Sequence, residues 1–305
     1  MIEEKKIISK DKKVIVSGAD GFTGRHVCLD LKKRGISFAV ILRPGTSAKW
    51  MDRNEIKVFF ADLNKFDQLK FALKGYDSLI NLASLGFLDI DTFIKTCNYC
   101  GLKRVIFISS TSIFTSLNVS SKEVRKQSEL LIKKSSLNWT ILRPTMIYGT
   151  ERDRNMIRLI KWIDKYPFIP IFGKGKNLQQ PVFVEDLSRS IVNILENEET
   201  FRNIFNLSGR YALTFIEVIR LIEKGLEKNI IKIFLPAKLF SVFFKFLEYF
   251  RLNLPIKSEQ IERLNEDKDF KYEKANKYFG YDPISFDEGI IKEIIIYKKR
   301  KLRIK

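Results

Sequence analysis

The chain has 305 residues, of which 45% are apolar and 30% are charged, and this balance excludes a disordered or fibrous protein. The formal net charge of +19 invites a nucleic-acid partner, but no RNA-binding aromatic pattern or recognition helix accompanies it, so we expect none. The polar start lacks the apolar core of a signal peptide, which leads us to expect a cytoplasmic protein.

The first half of the chain alternates apolar runs of strand length with helical stretches. The runs begin with KKVIVSG and FAVILR and end with WTILRPT, and several are apolar throughout, as in strands buried on both faces. Between them, apolar residues recur at helical spacing, and most of these stretches end at or just before a glycine. Six alternations predict an α/β fold, a Rossmann-type doubly wound parallel sheet, over residues 12–150.

Helices predominate after Gly149. No linker separates the two halves, so we predict a smaller, mainly helical part over residues 151–297 that binds substrate, followed by a basic tail at 298–305. The predicted helices cover residues 154–165, 184–196, 214–227 and 237–250, with short strands near 168–172, 203–206 and 230–234.

The cysteines and the single histidine do not form a metal site by their spacing. Cys97 and Cys100 make a CxxC late in a predicted helix, with no second pair and no histidine nearby. His26 lies just behind a glycine loop, and Cys28 lies in the same helix. We therefore expect no metal, a reducing compartment, and a packing role for the thiols.

Three glycines stand at the junction of the first strand and the first helix. Gly18 permits a tight turn, Gly21 allows the backbone to approach a pyrophosphate, and Gly24 permits close packing of helix on strand. The helix N-terminus beyond them offers free N–H groups and a partial positive charge. This placement predicts a dinucleotide site.

Cations at the end of the second strand favour NADP over NAD. An NAD site would place an acid there on the ribose 2′-hydroxyl, whereas this chain has Arg43, with Arg25 behind the glycine loop. Guanidinium groups suit a 2′-phosphate, although Arg43 could also be a surface residue at the start of a loop. Asp62 after the third strand either meets the adenine amino group or caps the next helix.

The motifs that follow successive strands resemble those of one family. They are GADGFTG, then ADL, NLAS, FISSTS and LRPTMIYG, with QQPVFVEDL, NLSG and FGYDPISFDEGI later in the chain. Together they resemble the extended or atypical short-chain dehydrogenase/reductases, and within these the NAD-dependent epimerase/dehydratase group that acts on nucleotide sugars. The similarity runs from about residue 12 to about residue 297.

The resemblance implies a set of cofactor contacts at the ends of the strands and on the fifth helix. Ala83 and Ser84 would lie along the ribose, and residues 144–146 near the nicotinamide. The implied cofactor-binding residues are Gly18, Gly21, Phe22, Thr23, Gly24, Arg43, Asp62, Leu63, Ala83, Ser84, Lys126, Pro144 and Met146.

The family's catalytic pair is a Tyr-x-x-x-Lys on the fifth helix, in which the lysine lowers the tyrosine pKa for proton transfer. By the resemblance, Lys126 matches the lysine and Glu129 an acid downstream of it, but Lys122 stands where tyrosine is expected. Lys122 could act as a base only where burial or a neighbouring cation lowered its pKa. Ser110 and Thr111 could orient a substrate hydroxyl, or simply close a small polar loop over the cofactor.

The resemblance places the substrate against the second part of the chain. Arg154 would meet the diphosphate of a nucleotide sugar together with Lys174 and Lys176, although a lysine-rich surface also places cations anywhere. Tyr148 would lie near the substrate mouth or pack at the junction of the two parts. Asp186 is expected to begin a helix rather than to catalyse.

Residues 235–250 carry five phenylalanines with lysines between them. The surrounding apolar region is too interrupted for a spanning helix, so the segment either lies at a bilayer surface or packs against the substrate pocket. The basic tail either contacts acidic lipid or is solvated. Peripheral contact with an anionic membrane and a homodimer are thus open as partners, besides a small-molecule substrate.

These observations favour an NAD(P)-dependent enzyme that acts on a nucleotide sugar by hydride transfer with an atypical mechanism, as an epimerase, dehydratase or reductase. The alternative is a non-catalytic NAD(P)-binding redox sensor or accessory subunit that keeps the fold without the base.

Overall fold

Seven parallel strands form the central sheet of the computed structural model, which describes residues 13–249 and 258–304. The strands in chain order are β1 (Val14–Ser17), β2 (Phe38–Leu42), β3 (Lys57–Phe60), β4 (Ser78–Asn81), β5 (Arg104–Ile108), β6 (Trp139–Pro144), β7 (Ile147–Tyr148), β8 (Phe168–Phe172), β9 (Leu178–Gln179), β10 (Val182–Phe183), β11 (Asn203–Leu207), β12 (Leu213–Thr214) and β13 (Ile231–Leu235). The helices are α1 (Phe22–Lys33), α2 (Lys49–Arg53), α3 (Phe66–Leu73), α4 (Ile90–Tyr99), α5 (Ser120–Lys134), α6 (Met156–Lys165), α7 (Val184–Asn193), α8 (Phe215–Leu226), α9 (Ala237–Tyr249), α10 (Ser258–Leu264), α11 (Glu273–Phe279) and α12 (Phe286–Ile304).

The central sheet has the order β11-β6-β5-β4-β1-β2-β3, and all its neighbouring strands are parallel. Side chains alternate between the two faces of the sheet along each strand, and helices cover both faces. Val14 and Val16 pack into a core shared with α1 and α7, whereas Ile15 packs into a second core shared with α3 and α4. The predicted Rossmann-type α/β fold is confirmed.

The strand expected near residue 203 extends the central sheet at the edge of β6. A buried arginine in β5 fixes the connection that leads to this strand. The Arg104 guanidinium donates to the Thr200 hydroxyl at 2.8 Å and to the Ile194 carbonyl at 3.1 Å. It also stacks on the Phe201 ring.

The elements after β6 other than α7, β11 and α11 build a smaller layer with a core of its own. Side chains of α6, α8 and α12 meet there, including Ile160, Ile222 and Ile290. Two-stranded sheets join β7 to β10, β9 to β12, and β8 to β13. This layer lies beyond the carboxyl end of β6, beside the edge of the sheet where the predicted site residues emerge.

Some boundaries differ from those predicted. Helix α6 begins at Met156, not at residue 154, because the Asp153 carboxylate accepts the N–H groups of Asn155 and Ile157 and so caps the helix there. The short helix α2 was not predicted. The predicted start of the first domain at residue 12, the helix end at 250 and the last tail residue, 305, lie outside the described residues.

Within residues 13–249 and 258–304, none of the helices combines the length and the apolar character that a membrane span requires.

Candidate functional site

The predicted dinucleotide site lies at the carboxyl ends of β1 and β4. The chain goes from β1 to β2 and β3 on one side, while β4, β5 and β6 follow on the other. Connections therefore leave in opposite directions at this point and open a crevice between them. The glycine loop of residues 18–24 lies here.

The geometry of this loop requires glycine at two positions. Gly18 has φ +71°, and a Cβ there would come within 2.7 Å of the Ala83 nitrogen. A Cβ on Gly24 would lie 2.3 Å from the Gly18 carbonyl oxygen, so only glycine lets α1 approach the loop this closely. Gly21 precedes Phe22 and Thr23, the first residues of α1, and begins the helix without a side-chain cap. The first N–H groups of the helix therefore remain available to an anion.

A buried hydrogen bond joins β1 to the segment after β4. The Ser17 hydroxyl donates to Asn81 Oδ1 at 2.7 Å, and the Asn81 amide donates to the Ala83 carbonyl at 3.1 Å. This pair holds Ala83 against the glycine loop. Sequence reasoning missed Asn81, although a buried asparagine at a strand end is a signal that could have indicated it.

Two arginines flank the start of α1. Arg25 stacks on the Trp50 ring at 4.9 Å, and none of the described residues accepts a hydrogen bond from its buried Nε. Arg152 reaches the Asp20 carbonyl at 3.5 Å. Burial lowers the pKa of Arg25, and the Arg152 charge lowers it further. A negative ligand would relieve both effects.

Arg43 and Asp62 follow β2 and β3 at the same edge of the sheet. Arg43 is exposed, its carbonyl accepts the Thr46 N–H in a tight turn, and no described carboxylate pairs with it. Asp62 Oδ1 accepts the Asn64 N–H at 3.0 Å, which forms a turn before α3 and involves Leu63. The residue preceding α3 is Lys65, so Asp62 does not cap that helix directly.

The segment after β5 carries the predicted hydroxyl groups. Ser110 Oγ accepts the Ser112 N–H at 3.1 Å, and the Thr111 hydroxyl donates to the Pro144 carbonyl at 3.3 Å. Ser109 Oγ is buried and has no hydrogen-bond partner among the described residues. The hydrogen bond from Thr111 to Pro144 thus joins the ends of β5 and β6, and Met146 follows two residues after Pro144. Ser84 stands after β4 and accepts the Gly86 N–H at 3.3 Å.

Helix α5 directs one face toward these strand ends. Its buried residues are Ser128, Glu129 and Ile132, and Ser128 donates to the Leu85 carbonyl at 3.1 Å. Helical spacing centres this inward face on residues 121, 125, 128 and 132. Arg125 is accordingly half-buried, and burial together with the Arg263 charge lowers its pKa.

Lys126, the predicted cofactor residue, lies on the flank of α5. Its amine is exposed and pairs with Glu123, also exposed, at 3.4 Å. Lys122, at the position expected for tyrosine, is partly buried and lies two turns before the buried Glu129, on the same side of the helix. The role expected for Lys126 stays a prediction, and the inward position four residues before Glu129 belongs to Arg125.

An ion pair fixes α5 against β6. Arg143 forms a two-pronged pair with the Glu129 carboxylate, which is almost fully buried, and its guanidinium stacks on Phe114 at 5.1 Å. The helix therefore has a fixed rotation relative to the segment after β5. This contact determines which α5 side chains face inward.

Residues 265–270, which we call the strap, pass over the segment that follows β5. The Glu266 carboxylate accepts hydrogen bonds from Thr115 and Ser116, and the Phe270 ring lies 5.7 Å from Phe114. Lys268 donates to Gln179 Oε1 at 3.2 Å, and burial lowers its pKa to about 8. Sequence reasoning did not identify this strap, because nothing in the local pattern indicates where it packs.

The predicted substrate residues are divided between the surface and the core. Arg154, Lys174 and Lys176 are exposed. Tyr148 is 1% exposed, with its ring between Phe183 and Phe286 in the core of the second layer. Its position matches the packing interpretation and offers no open face to a substrate.

The thiols and other polar groups occupy structural positions. Cys28 and Cys97 are buried, and burial raises the pKa of the Cys28 thiol to about 12. Asp186 lies in the first turn of α7, as predicted, and accepts the Ile284 N–H at 2.9 Å. Over the described parts of the chain, no three His, Cys, Asp or Glu side chains come together as metal ligands.

Comparison with known proteins agrees with this geometry. Residues 18–165 match the family model described as NAD(P)H-binding. This stretch is an NAD(P)H-binding domain. Solved epimerase and dehydratase structures share this fold, and the similarity in fold covers nearly all of the chain. A UDP-glucose 4-epimerase from Thermotoga maritima, solved with UDP-glucose, is 17% identical with a TM-score of 0.74, over 95% of this chain and 99% of that one. A UDP-glucuronic acid 4-epimerase from Bacillus cereus, solved with NAD, is 20% identical with a TM-score of 0.74, over 94% and 99%.

Curated relatives of the NAD(P)H-binding domain and its C-terminal extension have diverse names. One is a chloroplast stem-loop binding protein of 41 kDa from Arabidopsis thaliana, 24% identical over 68% of this chain and 61% of its own length. Another is a subunit 9 of the NADH dehydrogenase 1 alpha subcomplex from Dictyostelium discoideum, 25% identical over 83% and 75%. A third is a decarboxylating sterol-4-alpha-carboxylate 3-dehydrogenase from Mus musculus, 25% identical over 93% and 90%.

Proposed function

We propose that the NAD(P)H-binding domain prefers NADP to NAD. What supports the preference is the cation set at the predicted adenosine end, where Arg25 and Arg43 have no carboxylate partner among the described residues and Arg152 lies beside the glycine loop. A 2′-phosphate supplies the negative charge that these groups lack, whereas a 2′-hydroxyl does not.

Cofactor titration tests this preference. We expect Arg43→Ala to weaken NADPH binding by about tenfold, the effect of one charge-assisted contact, and to leave NADH binding unchanged. Lys33→Ala, at the opposite end of α1, is the matched control and should change neither. Equal affinities of the unaltered protein for NADPH and NADH would contradict the preference.

We further infer that the protein transfers hydride to or from a nucleotide sugar. The observation that carries this inference is that the similarity in fold to the epimerases covers the C-terminal layer as well as the cofactor domain. The exposed cations Arg154, Lys174 and Lys176 of that layer have no carboxylate partner among the described residues and suit a diphosphate.

The chain's own residues divide the remaining work. When bound, the nicotinamide accepts or returns a hydride. We infer that Arg125, from the inward face of α5, and Ser84 hold the ribose hydroxyls near it, in the role that the resemblance gave to Lys126. Thr111 and Ser110 each keep unused hydrogen-bonding capacity, so they orient the hydroxyl of the sugar. A hydroxyl alone is a poor base near neutral pH, so the mechanism departs from the tyrosine-based one.

The second candidate is a non-catalytic redox sensor or accessory subunit. The lysine at position 122 favours it, as does the similarity to a protein named as a subunit of NADH dehydrogenase. A sensor should bind one oxidation state of the cofactor much more tightly than the other. An enzyme should also bind a second small molecule beside the nicotinamide.

NMR detection of products distinguishes the two candidates, with cofactor-loaded protein and a panel of UDP-, GDP- and dTDP-sugars. We expect conversion that Arg125→Ala abolishes and that Lys126→Ala, its outward neighbour, reduces little. If Lys126→Ala abolished conversion and Arg125→Ala reduced it little, the result would support the role expected for Lys126. Absence of conversion with every sugar, together with a large difference between NADP and NADPH affinities, would favour the sensor.

A further inference from the structure

The small sheet of β8 and β13 has one face in the core and one face that α9 covers only at its end. In parallel strands, paired residues share a face. Ile169 and Ile171 of β8 are buried, whereas their partners in β13 are the partly buried Lys232 and Phe234, which is 53% exposed. Phe168, Ile231 and Ile233 lie on the opposite face, where Ile231 is 69% exposed.

Helix α9 continues this outer surface. Its Phe240 and Phe244 contact the Phe172 ring of β8 at 5.7 and 6.3 Å and so fasten the helix to the end of the sheet. Because Phe240 and Phe244 face the sheet, the side chains on the other side of α9 point outward, and each of these is more than half exposed. The outward residues of the sheet and helix, which we call the apolar face, are Phe168, Ile231, Ile233, Leu239, Val242 and Phe243.

Aromatic and basic side chains border the apolar face. Trp162 and Tyr166 stack with Phe168, and the Trp162 indole donates to the Phe168 carbonyl at 2.8 Å. Such amphipathic rings favour the boundary between water and hydrocarbon. Exposed lysines without a carboxylate partner in the described ranges stand nearby on α6 and α9, namely Lys161, Lys165 and Lys238.

The basic end of α12 packs against the C-terminal end of α6. The Asp164 carboxylate, two residues from Trp162, accepts hydrogen bonds from Tyr297 and Lys301 and pairs with Lys228.

We propose that the protein docks peripherally on an anionic membrane through the apolar face, with the unpaired lysines of α6 and α9 against the lipid headgroups. The charge favours lipid over a second copy of the chain, because two copies meeting at this face would oppose unpaired lysines within a protein of net charge +19. Apolar insertion and headgroup attraction act together in such binding. The docking is independent of the reaction proposed above.

Vesicle co-sedimentation of the full chain tests the proposal. We compare phosphatidylcholine vesicles with vesicles that contain 30% phosphatidylglycerol, at about 50 and 300 mM salt. We expect binding to the anionic vesicles only, weaker at the higher salt. Trp162 should contribute a blue-shifted emission that brominated lipid quenches, which reports insertion of this face in particular.

Two variants separate the apolar and the electrostatic contributions. Phe243→Glu should reduce binding by at least about tenfold because it places a charge in the inserted surface. The triple variant Lys161→Gln, Lys165→Gln, Lys238→Gln should reduce it by about fivefold per lysine and flatten the salt dependence. Phe71→Glu changes a ring on α3 that is even more exposed, 72% against 51% for Phe243, and should leave binding unchanged. Cofactor affinity and circular dichroism confirm that each variant is folded.

Three results would overturn the proposal. They are equal binding to neutral and anionic vesicles, no binding to either, and equal loss of binding in the Phe71 and Phe243 variants. Sedimentation velocity without lipid provides a further test. A dimer that Phe243→Glu dissociates would show that a second copy covers the apolar face.

Discussion

The Ser116 backbone N–H donates a 2.7 Å hydrogen bond to the Glu266 carboxylate, across 150 residues of sequence. The Ser116 and Thr115 hydroxyls donate to the same group. One carboxylate thus fastens the strap to the segment that follows β5, directly beyond Thr111. The contact couples the C-terminal layer to the edge of the sheet where the proposed reaction takes place.

Replacing this carboxylate should loosen the strap. We expect Glu266→Gln to lower the free energy of unfolding by about 1 kcal/mol, because a neutral amide accepts these hydrogen bonds less strongly. Asp269→Asn, an exposed change in the same strap, should have no effect. Urea unfolding of both variants measures the difference.

The pH dependence of that difference has a defined sign. Burial alone would raise the pKa of Glu266, but the hydrogen bonds from Ser116 and Thr115 outweigh it and lower the pKa below the ordinary 4.5. A depressed pKa stabilises the fold above the ordinary value, and this contribution disappears as the pH falls below it. The stability gap between the native protein and Glu266→Gln should therefore be constant from pH 8 to about 5 and shrink below about 4.5. A gap that grew on acidification would contradict this.

Gly24 offers a test of the glycine loop. A methyl group at this position would lie 2.3 Å from the Gly18 carbonyl, so Gly24→Ala must displace α1 from β1. We expect destabilisation of about 1–3 kcal/mol and loss of NADPH binding, measured by calorimetry.

The control for Gly24→Ala is Gly101→Ala. Gly101 has φ +67° with open space around its Cα, so alanine costs only left-handed backbone strain of about 1–2 kcal/mol. Cofactor binding should survive there. If both variants lost the cofactor, general destabilisation would be the explanation, and the loop would have no special role.

The sequence predicted the central sheet because its strands are marked by composition alone. Val14 to Val16 are apolar and glycines follow at fixed positions, and both signals are local. The inward face of α5 is not a local signal. It depends on Ser128 reaching Leu85 and on Arg143 pairing with Glu129, contacts across 43 and 14 residues. Arg125 could therefore not be distinguished from Lys126 before the packing was known.

Contacts that join distant segments were missed for the same reason. The Arg152 guanidinium reaches the Asp20 carbonyl of the glycine loop across 132 residues, and nothing in its local sequence indicates this contact. The strap contains no motif at all, and its position follows from Glu266 finding Ser116. Hydrophobic pattern determines elements, whereas such polar pairs determine which elements meet.

Glu293 carries the last prediction. Its side chain is fully buried in α12 beside the Asp153 carboxyl. Burial, and then the hydrogen bond with the Asp153 carboxyl and its charge, raises the pKa of Glu293 to about 10. A carboxyl whose pKa is raised on folding binds its proton in the native state, so its cost to stability is absent below the ordinary pKa of 4.5 and grows as the pH rises towards 10.

Glu293→Gln removes this dependence on protonation while keeping the shape of the side chain. We expect this variant to gain about 2–3 kcal/mol at pH 7 and little at pH 4.5, in urea unfolding at several pH values. Glu288→Gln, exposed on the same helix, should show no such trend. A gain that is independent of pH would mean that amide packing, and not the retained proton, explains the effect.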